Sequence, residues 1–94
     1  MTVEELKTKL EKTMESLTLS GFGSIDSKTV EKLDEFAAIA GELSMREGKH
    51  LIENLSGAMK AIKEGKSKAE SGSVRLTALD FYVKKLSDSK TEDL

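Results

Sequence analysis

Apolar residues return at helical spacing along most of this chain. Val3, Leu6, Leu10, Met14 and Leu17 recur every three or four residues. At about 100° per residue they fall within an arc of roughly 80°, the narrow seam that a coiled-coil helix presents. Thr2 with Glu5 three residues later reads as a capping box, in which each side chain accepts a backbone N–H that the first turn leaves without a partner. The spacing predicts a first helix from about Thr2 to Leu17. From Thr18 to Ser27 the period is lost among two glycines and several Ser, Thr and Asp residues, whose side chains compete for nearby backbone groups. That segment reads as a loop, with Asp26 or Ser27 as the next N-cap.

Val30, Leu33, Phe36, Ala37, Ala40 and Leu43 then form an apolar arc opposite Glu31, Asp34, Glu35 and Glu42. Gly48 could end this helix, as glycine does at many helix C-termini. Against that, no Ser, Thr, Asp or Asn follows Gly48 to cap a new helix, and the apolar arc runs on through Leu51, Leu55, Ala58, Met59 and Ile62, displaced by only ~40°. The pattern therefore predicts a continuous or gently kinked helix over about 28–64, with a four-helix bundle turning at Gly48 as the alternative. Gly65 to Ser73 is polar and glycine-flanked and reads as a loop. The last helix, expected from about Ser73 to Leu86, is apolar on two sides: Leu76, Leu79, Tyr82, Val83 and Leu86 form one stripe, and Val74, Ala78 and Phe81 another. Residues 87–94 read as a short, charged, flexible tail. The expected architecture is all-α, a small bundle of three to four helices in a single domain over residues 1–86.

Composition narrows the chemistry more than it identifies it. The 94 residues are 37% hydrophobic and 34% charged, with no Cys, Pro or Trp and a single His. That balance suits a folded helical domain rather than a disordered chain. The missing cysteines exclude disulfides, thiolate metal sites and cysteine nucleophiles. The first residues lack the basic and apolar regions of a secretory signal, and no apolar run approaches the ~18 residues that span a bilayer, so the expected address is cytoplasmic. Charge is unevenly placed: residues 1–47 carry 6 basic and 10 acidic groups, and residues 48–94 carry 9 and 7. Such an asymmetry can steer two copies together or attract an anionic partner.

Three chemistries can be set beside the interaction reading. His50 projects about 130° from the centre of its local apolar arc and so is expected to face solvent. An exposed histidine on a helical bundle is similar to the phosphoacceptor of histidine-containing phosphotransfer domains, whose usual motif is His-x-x-Lys-Gly. Here the run is His50-Leu51-Ile52-Glu53-Asn54, with an acid in place of the lysine and Asn in place of the glycine. Glu47 and His50 also share the Glu-x-x-His spacing of carboxylate-bridged di-metal bundles, but such a site needs a second copy of the motif and inward-facing carboxylates. Lys60, Lys63, Lys66, Lys68 and Arg75 form the densest basic cluster and could contact a nucleic-acid backbone, although Glu64 and Glu70 interrupt it and no aromatic residues interleave for stacking.

The remaining candidates concern association. Ala37, Gly41, Ser44 and Gly48 would line one edge of a long second helix, a strip of small residues that lets another helix approach closely. Phe22, between Gly21 and Gly23, reads as a plug over an open end of the bundle or as an anchor for a partner. The surplus stripe of Val74, Ala78 and Phe81, or the seam of the first helix, is where a second copy or another protein would dock. The sequence thus predicts a non-catalytic interaction module, self-associating or bound to a protein partner, that calls for no cofactor, metal or small-molecule substrate.

Overall fold

A computed structural model describes residues 2–23 and 25–92, with side chains as far as Leu86. Four helices follow one another among them: α1 (Val3–Ser20), α2 (Ser27–Glu42), α3 (Arg46–Lys63) and α4 (Ala69–Glu92). The protein is an all-α bundle, and several of its helix boundaries have a local cause. Thr2 opens α1 through the expected capping box, its Oγ1 accepting from the Glu5 N–H at 3.2 Å while Glu5 Oε1 accepts from the Thr2 N–H at 3.1 Å. The helix runs beyond Leu17 because the hydroxyls that were expected to break it bond backward instead: Thr18 donates to the Met14 carbonyl and Ser20 to that of Ser16. Asp26 then caps α2 by accepting from the Lys28 N–H at 2.9 Å.

The long helix expected over 28–64 does not form. α2 ends at Glu42, in a turn built on Leu43, Ser44 and Met45. The Met45 N–H reaches back to the Ala40 carbonyl at 2.8 Å and the Ser44 N–H to Gly41 at 3.1 Å, which is the Schellman pattern. That pattern places Ser44 in the left-handed region at φ 62°, where glycine is the usual occupant. α3 ends in the same turn, with Lys66 bonded to Ala61, Gly65 to Ile62, and Gly65 at φ 78°. Gly48, the glycine expected to end a helix, lies in the first turns of α3, which begins after Met45 with no side-chain cap.

α4 starts at Ala69, inside the segment read as a loop, and its backbone stays helical to Glu92, through most of the segment read as a flexible tail. Residues 93 and 94 of that tail lie outside the described residues. The bundle is elongated, 45 × 22 × 18 Å, its length following from a 24-residue helix of about 36 Å.

α3 packs most extensively, against α2 on one side and α4 on the other, while α1 leans more lightly on α2 and α4. Leu6, Leu10, Leu33, Ile52, Leu55, Met59 and Leu79 are sealed in the common core. The seam of α1 is part of it, so Leu6, Leu10, Met14 and Leu17 do not form a docking surface. With the chain redirected at Ser44, the buried face of α3 turns toward Ile52 and Ser56, and Leu51, expected in the core arc, is only half-buried. The buried Ser56 hydroxyl donates to Asp34 Oδ1 at 2.6 Å, and Lys60 Nζ reaches Oδ2 of the same carboxylate at 3.2 Å. This polar bridge sets the register of α2 on α3.

Candidate functional site

α4 carries apolar residues on two sides, and the bundle covers one of them. Leu79 and Val83 are buried, with Leu76, Tyr82 and Leu86 half-buried beside them. On the other side Val74 and Phe81 stand 61% and 62% exposed, with Ala78 exposed between them. Leu51 and Tyr82 extend this stripe across the α3–α4 junction, forming a groove of about 400 Å³ whose polar margins are Glu47, Thr77 and Lys85. Lys85 holds its ammonium 5.0 Å from the centre of the Phe81 ring, a cation–π contact on the open surface.

Gly48 explains how the groove floor is built. A Cβ there would come 3.0 Å from the Tyr82 ring and hydroxyl, so glycine lets Tyr82 approach α3 more closely than a larger residue would without a shift of the ring. Burial pushes the Tyr82 hydroxyl above its ordinary pKa; the carboxylate of Glu47 adds to the shift and a backbone bond from Gly48 opposes it. Tyr82 is therefore a neutral, hydrogen-bonding rim to the apolar face. The small-residue strip is corrected accordingly. Gly41 and Gly48 lie on different helices, so they do not form one strip; Gly48 is buried under Tyr82 of the same chain, whereas Gly41 is exposed beside the aliphatic chain of Lys49.

Of the two readings of Phe22, the structure has the plug. It is buried, not an exposed anchor: its ring seats against Gly72 beside Ile62, so closely that a Cβ on Gly72 would fall 2.7 Å from two ring carbons. This seat is a physical reason for Gly72 within a helix, and Phe22 closes the end of the bundle where α1 gives way to α2.

His50 is exposed on α3, where the sequence placed it. Among the described residues no group of three or more His, Cys, Asp or Glu side chains could hold a metal ion, so Glu47 and His50 stand without the additional ligands that the di-metal spacing requires. Three side chains of the basic cluster have partners of their own. Lys60 pairs with Asp34, Lys63 donates to the Ser27 hydroxyl, and Lys66 pairs with Glu64 at 3.1 Å. Lys68 precedes α4, and Arg75 lies on its exposed surface. Lys60 and Lys63 line a shallow depression together with Glu31 and Asp34, which opposes the binding of an anion there.

A second groove of about 340 Å³ separates α1 from α4, lined chiefly by Glu11, Glu15, Thr18, Thr77 and Asp80. Its acids are partly neutralised, Glu11 by Lys7 at 3.6 Å and Asp80 by Lys84 at 3.0 Å. No described helix is long and apolar enough to cross a membrane.

The surplus stripe was legible from the sequence, because three apolar residues at helical spacing stand on the side of the helix opposite its other apolar stripe. The contributions of Leu51, Tyr82 and Glu47 were not, since they depend on the angle at which α3 meets α4. No protein-family model, curated protein or solved structure matches the chain.

Proposed function

We propose that this protein is a small, non-catalytic helical interaction module that associates with a second copy through the outer face of α4. The observation that carries this reading is the exposure of Val74 and Phe81 beside the half-buried Leu51 and Tyr82, an apolar groove on a bundle whose other large apolar side chains are mostly covered. Covering one Phe side chain contributes on the order of 1.5–3 kcal/mol, which changes an association constant by one to two decades. A dilution series followed by light scattering tests the reading. Wild type is expected to form dimers at high micromolar concentration, and Phe81→Asp to remain helical but monomeric. A wild type that stays monomeric throughout that range overturns the reading.

Phosphotransfer through His50 ranks below it. The imidazole is accessible, and Arg46 and Lys49 offer positive charge, but Glu53 occupies the position where a cation would neutralise a phosphoryl group. Nucleic-acid binding ranks lower again, because three of the five basic residues of the cluster are engaged by Asp34, Ser27 and Glu64.

A further inference from the structure

The outer face of α4 reads the same from either end. Glu70, Val74, Thr77, Ala78, Phe81 and Lys85 share an arc of roughly 100°, opposite the buried Leu79 and Val83. Measured outward from the midpoint between Thr77 and Ala78, Val74 and Phe81 stand at equal distances, one on each side. Beyond them Glu70 and Lys85 also stand at equal distances, with opposite charges. All of these except the central pair are therefore matched large apolar with large apolar and acid with base. Each of the six is exposed.

A two-fold axis through that midpoint, perpendicular to the helix, lays two copies of α4 antiparallel. Val74 of each copy then meets Phe81 of the other, Thr77 meets Ala78, and Glu70 meets Lys85 at both ends of a contact about 22 Å long. The parallel arrangement in the same register sets Glu70 against Glu70 and Lys85 against Lys85, so the end charges choose between the two directions. The cation–π contact of Lys85 with Phe81 already holds the ammonium at the edge of the apolar stripe, where a carboxylate arriving from the second copy can reach it.

We propose that the protein forms an antiparallel two-fold homodimer in which α4 packs on α4 about the Thr77–Ala78 midpoint, with Glu70 and Lys85 paired at both ends. This rests on the reading above that the Val74–Phe81 face is a self-association surface, and adds to it the orientation, the register and the residues that select them.

Charge reversal tests the register. At low ionic strength Glu70→Lys and Lys85→Glu each replace two attractive contacts by two repulsive ones and are expected to weaken the dimer by about tenfold. Mixing the two variants regenerates both pairs, so a heterodimer of wild-type strength forms in preference to either homodimer. The double variant Glu70→Lys/Lys85→Glu is likewise expected to recover the wild-type dissociation constant, even though it lacks the Lys85–Phe81 contact. These differences fade in about 1 M salt, where the screening length is near 3 Å. Sedimentation equilibrium gives the constants, and circular dichroism verifies that each variant is folded. If Phe81→Asp dissociates the dimer while reversal, mixing and the double variant all leave the constant unchanged, the face is an interface but the antiparallel register is wrong. If wild type does not dimerise at all, the underlying reading fails as well.

Discussion

α3 and α4 lie side by side, yet their surfaces are organised in opposite ways. α3 sits between two neighbours and needs one broad apolar face, which Ile52, Leu55, Ala58 and Met59 supply, leaving Arg46, Lys49, His50 and Glu53 in solvent. α4 also has two neighbours, α3 and more lightly α1, which its stripe through Leu79 and Val83 faces, and it nonetheless carries Val74, Ala78 and Phe81 on the side away from the core. An amphipathic helix segregates its residues because every apolar side chain left in water forfeits its burial. A helix that fails to segregate within its own bundle signals a surface to be covered by something else.

Two phenylalanines provide the sharpest test of that contrast. Phe22 is a core residue seated against Gly72 and Ile62, so Phe22→Ala is expected to lower stability by about 3–5 kcal/mol. For a domain of this size each kcal/mol shifts the melting temperature by roughly 4–8 °C. Phe81→Ala, in the same protein held dilute enough to be monomeric, is expected to cost less than about 0.5 kcal/mol, as surface substitutions do. Equal losses in thermal melts would place Phe81 in the core and erase the distinction between the two sides of α4.

A smaller effect belongs to the polar bridge that α3 makes with α2 through Ser56, Lys60 and Asp34. Asp34→Ala removes the acceptor of the buried Ser56 hydroxyl and is expected to cost about 1–3 kcal/mol in urea unfolding, whereas Asp34→Asn keeps an acceptor and costs less. The same bridge has a pH signature. The Ser56 hydroxyl, and after it Lys60, hold the Asp34 carboxyl below its ordinary range. A carboxyl with a lower pKa folded than unfolded contributes stability that is complete above the unfolded value, near pH 4, and is lost as the pH falls through the folded one. The urea midpoint is therefore expected to fall as the pH drops below about 4, and Asp34→Asn to flatten part of that fall. Glu5, lowered chiefly by its bond from the Thr2 backbone, adds to the same acid limb. A slope unchanged in Asp34→Asn would show the bridge to be open in solution.

The smallest expected effect is on the polar side of α3. His50→Gln is expected to leave melting temperature and dimerisation unchanged, and wild type treated with acetyl phosphate to acquire no acid-labile phosphate at His50, because Glu53 opposes the phosphoryl charge. Stoichiometric phosphate that disappears in His50→Gln would make the solvent face of α3, rather than the outer face of α4, the functional surface.

Much of this bundle can be read from local pattern, because capping and amphipathic spacing act over three to four residues. Thr2 with Glu5, Asp26 before α2, and Gly65 after α3 each specify a helix end by chemistry within a single turn, and the structure shows all three. The two apolar sides of α4 follow from spacing alone. The turn at Ser44 does not. It repeats the geometry found at Gly65 with a serine in the left-handed position, so its defining residue carries no sign of it, and the nearby Gly48 points to the wrong place. The packing of α2 against α3, locked by Ser56, Asp34 and Lys60, goes with a chain reversal that local propensity would have continued as one long helix. Gly48 and Gly72 have the same explanation: each is closely approached by a ring from elsewhere in the chain, Tyr82 and Phe22, and such approaches become visible only when the helices meet. Sequence alone thus determined that the chain is all-α and which helix faces are apolar, since those depend on neighbours along the chain; where the chain turns back, and which of those faces is left uncovered, was decided by contacts between residues far apart in it.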